Sequence, residues 1–271
     1  MAAGDQRYLG AHPTEEGTNF AIWATAATRV ELCFFNEVNG KLVEIKHELT
    51  NRNGPVFHGY FPGIKPGQRY GYRIDGEWNP ARGWRFNSNK VLIDPYTHLL
   101  SGDLKYVPEI YSHVASDSVG TVNTIVKDER DSASFVPLSV VTENIKSDGV
   151  RLRTPWSKTV IYEAHVRGLT EFNTAIPEGE RGTYKALAHP SVIKYLKDLG
   201  VTALELQPIH HFLTEPAIAA RGRQNYWGYN PIAFSAPHRA YAATNDPIRE
   251  LRDAVSTLHE SGIEVILDVV Y

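Results

Sequence analysis

Val265, Ile266, Leu267, Val269 and Val270 make residues 262–271, "GIEVILDVVY", apolar on both faces of an extended strand. A strand of that kind belongs inside a parallel sheet covered on each side. Left at an edge, it would offer unpaired backbone groups and bare β-branched side chains to other chains, which natural edges avoid with charge, proline or shortness. A further strand is therefore expected beside it, from chain beyond Tyr271.

Upstream, strands and helices alternate. Residues 159–166, "TVIYEAHV", read as a strand. Residues 191–200 read as a helix with Val192, Ile193, Leu196 and Leu199 on one side and Gly200 as its stop. "VTALELQP" is a second strand. Residues 245–262 form a second helix: Asp246 can cap it, Pro247 suits its first turn, Ile248, Leu251, Val255 and Leu258 share a face, and Gly262 ends it. "IEVILDVV" is the third strand. This β-α-β-α-β order implies a parallel sheet, either doubly wound or closed into a barrel. A dinucleotide fold would carry Gly-x-Gly-x-x-Gly just after the first strand, and "RGLTEFNTAIPEGERGTY" has no such turn. The connection after the second strand, residues 209–245, is long, aromatic and polar. Loops in that place build barrel active sites, so the pattern favours a barrel.

Residues 17–72 follow a different grammar. "TNFAIWA", "RVELCFF" and "KLVEIKHEL" are rich in β-branched and aromatic residues, and "NEVNGK", "NRNGP" and "PGIKPGQ" separate them with turn chemistry. Short strands at roughly ten-residue spacing suggest a β-sandwich. Residues 85–157 look irregular and are read as connection, some of it packed on its neighbours. With 271 residues and 42% hydrophobic content, the chain can build a sizeable core. A formal net charge of −3 gives phosphate-dominated nucleic-acid binding no footing. The N-terminus lacks a basic start followed by an apolar run, and no stretch has the length of a membrane span, so a cytoplasmic protein is expected. Cys33, the one cysteine, reads as a small buried apolar residue.

Aromatic residues make up 11% of the chain, and Trp and Tyr suit sugar-binding surfaces, which need flat apolar platforms beside hydrogen-bonding groups. Trp23, Trp78 and Trp84 could form such a face, although the alternation around Trp23 places it in a core, and "GEWNPARGWRF" could equally be a docking loop. His165, His210, His211 and His238 invite a metal reading that their spacing does not support, since adjacent His210 and His211 point to opposite sides of a strand. No Gly-x-Ser-x-Gly elbow is present. Glu163 and Glu205 lie within strands among apolar neighbours, which suggests a buried ion pair or an interior hydrogen bond.

"GVTALELQP", "NYWGYNP" and the terminal "LDVVY" together resemble the α-amylase superfamily, glycoside hydrolase family 13. "VIYEAHVRGLT", "RGTYKALAHP", "GTNFAIWA", "HGYFPGIKPGQRYGYR" and "DSASFVP" resemble its bacterial glycogen-debranching and isoamylase branch. The resemblance implies a multidomain β plus α/β chain. Residues 1–100 would form a carbohydrate-binding-like, immunoglobulin-like β-sandwich, residues 101–157 a connecting segment, and residues 158–271 the first three units of a (β/α)8 TIM barrel, truncated. It implies hydrolysis of α-1,6-glucosidic branch linkages by two carboxyl groups through a covalent intermediate, without a cofactor. In the family the nucleophilic Asp, the acid Glu and a third, sugar-gripping Asp follow the fourth, fifth and seventh strands. All three positions would lie beyond Tyr271, so the resemblance implies no catalytic residue in this chain and no activity of the chain alone.

Substrate-binding roles are implied for Tyr229, whose ring would stack on the sugar beside the scissile bond, and for Trp227, Asp268 and Tyr271. Trp227 could instead pack its loop onto the barrel, and Asp268 would organise charged groups beneath the sugar pocket. The expected partner is an α-glucan such as glycogen, amylopectin or limit dextrin. A non-catalytic glucan-binding fragment and a sibling α-glucan enzyme, branching or transferring, remain open.

Overall fold

The computed structural model describes residues 1–144 and 151–271, which form two compact units. Residues 145–150, part of the expected connecting segment, lie outside the described residues. The first unit comprises Met1–Asn144 with Thr214–Gln224, and the second takes the remaining described residues through Leu213 and then Asn225–Tyr271.

Two larger antiparallel sheets form the frame of the first unit. One runs Gly10–Pro13, Gly17–Trp23, Val56–Pro62, Asn51–Asn53, and the other runs Leu100–Ser101, Leu138–Val140, Arg69–Gly76, Ala27–Val38, Lys41–Glu48. Alternation along the strands explains the core. Phe20, Ile22, Leu32, Phe34, Phe61, Tyr70 and Tyr72 bury together, and Phe20 meets Phe34 and Tyr70 edge-on at 5.6 and 5.0 Å. The alternate residues Cys33 and Phe35 pack on Val91 and Leu138 instead, so this sheet is covered on both faces. Cys33 is buried as expected, and burial pushes its thiol pKa up. Asn39 and Gly40, both at positive φ, make the two-residue turn before Lys41.

Trp23 departs from expectation: it is 59% exposed, with its indole N–H donating to Thr25 Oγ1 at 2.7 Å. Alternation puts Phe20 and Ile22 in the sandwich core and Trp23, with Ala21, on the opposite face of the strand. The stretch expected to be connection also departs. Leu100–Ser101 and Leu138–Val140 are sandwich strands, and Leu138–Val140 pairs with the strand Arg69–Gly76. Ion pairs pin the irregular chain between them. Arg73, 2% exposed, holds Glu44 and Asp131, while buried Lys90 meets Asp128 at 3.0 Å and also donates to the carbonyls of Glu109 and Arg130.

The second unit is built on three parallel strands in the order Ile161–Ala164, Ala203–Leu206, Glu264–Leu267. Ala164, Leu204 and Leu206 face a core with Tyr184, Leu187, Leu196 and Leu258. Among the described residues the third strand pairs on one side only. Leu267 is exposed and Val265 and Ile266 are half-buried, less covered than their composition predicts. Helix Pro190–Asp198 buries Val192 and Leu196, whereas Leu199 lies past its last turn and is exposed. Gly200 and Gly262 both take positive φ after their helices.

Helix Pro247–Glu260 is capped by Asp246, which accepts from the Arg249 N–H at 3.0 Å. Its most buried face is Glu250, Ala254 and Leu258, rotated from the apolar set Ile248, Leu251, Val255 and Leu258. The rotation follows from Glu250, whose carboxylate accepts from the backbone N–H groups of Lys185, Ala243 and Thr244 and from the Thr244 hydroxyl.

Two stability predictions follow from these buried carboxyls. Glu250→Ala leaves three backbone donors unsatisfied and should lower the stability of the second unit by about 2–3 kcal/mol, measured by urea unfolding. Asp94 is fully buried, accepts from Tyr70 at 2.8 Å, and has its pKa pushed by burial from 3.8 up to about 6. Because the native state holds the extra proton, stability is full below about pH 4 and falls as pH rises through 6. The fall is on the order of 3 kcal/mol. Asp94→Asn should flatten that slope in unfolding midpoints recorded from pH 4 to 7.

Candidate functional site

Parallel register aligns Glu163 with Glu205 on neighbouring strands of the second unit. Glu163 is exposed and Glu205 half-buried. The expected burial of these carboxylates is therefore not found: they lie on the face opposite Leu204 and Leu206, which face the core. Glu163 accepts a hydrogen bond from Gln207 Nε2 at 2.8 Å. Gln207 Oε1 is buried and finds no donor among the described residues. Asp268 follows directly after the third strand, and its N–H donates to the Leu206 carbonyl at 2.9 Å, which carries the parallel pairing one step further.

Tyr229 is brought to these carboxylates by a tightly folded segment. The Gly228 N–H donates to Asn225 Oδ1 at 3.0 Å. Gly228 has φ +85°, and a Cβ there would meet the Pro208 carbonyl at 2.9 Å and the Phe212 ring at 3.1 Å. The Leu213 N–H donates to the Asn230 carbonyl at 3.1 Å, and the Asn230 side-chain amide donates to the Leu213 carbonyl at 3.1 Å. The Tyr229 hydroxyl donates to Asp268 Oδ2. That bond, followed by partial burial and the charges of Asp268, Glu163 and Glu205, pushes the phenol pKa up to about 12. The phenol is thus held neutral and oriented, while its ring remains 43% exposed.

Of the expected site residues, Tyr229 and Asp268 meet directly. Trp227, 56% exposed, stands edge-on to Tyr226 at 5.2 Å and to His165 at 6.4 Å. Tyr271 lies against Phe234, with ring centroids 5.5 Å apart. Sequence reasoning passed over Gln207, although a polar residue beside the apolar run of "TALELQP" was a usable signal. It also passed over the aromatic set Tyr226 and Tyr241 around His165.

The other histidines are largely packing rings. His238 stacks on Phe212 at 3.8 Å, and burial drops its pKa to about 3. Among the described residues no three His, Cys, Asp or Glu side chains are grouped to hold a metal ion, and no helix is long and apolar enough to cross a membrane. A groove of about 440 Å³ opens between Lys185, His189, Arg249 and Asp253 and shares no lining residue with the Tyr229 cluster. In the first unit, Trp78 and Asn79 pair with Trp84 and Arg85. The Trp78 indole donates to the Ile125 carbonyl at 3.0 Å, and the Arg82 guanidinium lies 4.1 Å over the Trp84 ring.

A row of carboxylates beside an exposed, oriented tyrosine repels anions and suits a neutral polyhydroxyl ligand, whose C–H faces pack on aromatic rings. Residues 8–97 match the family model of carbohydrate-binding module 48, the isoamylase N-terminal domain. Over nearly its whole length the chain is similar to one part of solved pullulanase structures. It covers 99% of its own length on the Anoxybacillus sp. LM18-11 pullulanase complexed with maltotetraose, at 24% identity and a TM-score of 0.66. Against pullulanase type I from Bacillus subtilis str. 168 complexed with maltose, the values are 97%, 25% and 0.65. Against the catalytic module of the multi-modular glycogen-degrading pneumococcal virulence factor SpuA they are 97%, 21% and 0.70. The chain spans about a third of the length of these structures: 35%, 33% and 37% respectively.

The Tyr229–Asp268 bond can be read directly. In protein labelled with ¹³Cζ-tyrosine, Tyr229 should titrate near 12. Asp268→Asn should bring that titration down toward the ordinary tyrosine value of 10.0 by removing the acceptor charge.

Proposed function

We propose that this chain is the glucan-binding part of an α-glucan debranching hydrolase, in which the second unit contributes three strands of a (β/α)8 barrel and the first unit is an accessory sugar-binding sandwich. In the terms used for the sequence, the sandwich is residues 1–100, the connection 101–157 and the barrel part 158–271. The observation that carries this reading is Tyr229 donating to Asp268 beside the Glu163–Glu205 row, at the C-terminal ends of parallel strands where barrel enzymes build their sites. The module match at residues 8–97 supports sugar binding by the first unit.

The parent reaction in this reading is hydrolysis of α-1,6 branch linkages in glycogen or amylopectin, which needs one carboxyl as acid and another as nucleophile. Asp268 and Glu163 are instead engaged as hydrogen-bond acceptors, from Tyr229 and Gln207. Their role is to set the orientation of groups that meet the sugar. Tyr229 supplies the ring face, Trp227 and Tyr271 extend the aromatic surface, and the unpaired Gln207 Oε1 is an acceptor that a sugar hydroxyl would satisfy. In this reading the chain of 271 residues by itself binds glucan without cleaving it.

Affinity electrophoresis through gels containing glycogen or amylopectin tests this. The purified chain should be retarded, and Tyr229→Ala should relieve part of that retardation. Migration indifferent to polysaccharide would refute glucan binding, and release of reducing ends from amylopectin would refute the non-catalytic role.

A further inference from the structure

His165 follows the strand Ile161–Ala164 and caps the short helix Val166–Thr170, and the proposed sugar contacts make no use of it. Its Nδ1 accepts from the backbone N–H groups of Arg167 and Gly168, each at 3.1 Å. An accepting Nδ1 puts the single ring proton of the neutral imidazole on Nε2. That N–H donates to the Tyr226 carbonyl at 2.7 Å. The Tyr241 hydroxyl, 3.0 Å from Nε2, donates to the same carbonyl at 3.3 Å. Both lone pairs of one loop carbonyl are thereby engaged.

The imidazole also lies flat on the Tyr226 ring, with centroids 4.0 Å apart and planes 9° from parallel. Tyr226 is 43% exposed, so burial alone does not hold it. Gly168 makes the room: a Cβ there would stand 2.7 Å from the Tyr226 hydroxyl. Burial of the imidazole lowers its pKa, which favours the neutral form that this pattern requires. One ring thus joins the end of a strand and the first turn of a helix to the residue immediately before Trp227.

We propose that His165 is the positioning residue for the loop that carries Trp227 and Tyr229, holding it through the Tyr226 carbonyl and ring. The proposal rests on the reading that these two side chains contact glucan. Its anchoring part is tested without sugar.

Two substitutions separate the bonds of the ring. His165→Asn keeps an acceptor near the Nδ1 position and loses the contact with Tyr226. His165→Gln places an amide N–H near the Nε2 position and can restore that contact. Amide hydrogen exchange across residues 225–230 is the readout, together with maltohexaose affinity by calorimetry. In His165→Asn the loop amides should exchange about tenfold faster, the scale of one lost hydrogen bond, while the amides of helix Pro247–Glu260 stay unchanged. His165→Gln should recover much of that protection. Tyr241→Phe, which removes only the second donor, should give a smaller loss and keeps the anchor testable if a His165 variant fails to fold.

Maltohexaose affinity should fall in parallel with loop protection. Loop protection in His165→Asn equal to wild type would overturn the anchor, as would protection lost equally throughout the second unit. Failure of the wild-type chain to bind maltohexaose would instead overturn the glucan reading and leave the exchange result to judge the anchor.

Discussion

Parallel pairing over four residues per strand holds the second unit in register, and its candidate site depends on that register. Glu163 faces Glu205 because Ile161 faces Ala203, and Asp268 reaches Tyr229 because the pairing with Leu206 continues one residue beyond Leu267. A slip of one residue would turn Leu204 and Leu206 away from the core and bring Glu205 into it. The core therefore enforces the register and the register places the carboxylates. The polar face of the sheet is arranged by hydrophobic packing on the other side.

The first unit solves a different problem. The second face of its five-stranded sheet carries Cys33 and Phe35 among Glu31, Glu44 and Arg73, and chain from residues 85–140 covers it, with Val91, Ala133, Val136 and Leu138 packed on the two apolar residues. Irregular chain brings backbone groups that cannot all pair with strands. Lys90 answers part of that need by donating to two loop carbonyls as well as to Asp128, and Arg73 donates to the Ser88 carbonyl as well as to Glu44 and Asp131. Buried cations here act as hubs for loop backbone. Removing one partner of such a hub costs more than the pair itself contributes, because the other charge is left buried.

Much of this was legible in residue patterns. The β-rich grammar of residues 17–72, the turn at Asn39–Gly40, the Asp246 cap and the glycine stops at 200 and 262 are local signals, each with a local physical cause. What was not legible depends on distant partners. Trp23 sits in an apolar run whose core face is set by Phe20 and Ile22, and it is exposed because it lies on the other face. Glu250 looks like a surface residue until the backbone of residues 185 and 243–244 comes to it. Leu138–Val140 is too short to stand out among its irregular neighbours. At the candidate site, Tyr229 and Asp268 were expected from the family resemblance, and their hydrogen bond is a tertiary fact. The part His165 plays is not legible because a single sequence does not reveal its approach to Tyr226, 61 residues away.

The left-handed backbone at Gly228 separates two kinds of necessity along one short loop. Any side chain there would strain the backbone and collide with the Pro208 carbonyl and the Phe212 ring. The flanking Trp227 and Tyr229 are partly exposed. In a mutational library, position 228 would be depleted in a screen for soluble expression alone. Positions 227 and 229 would tolerate exchange there and show their constraint only when ligand capture is selected.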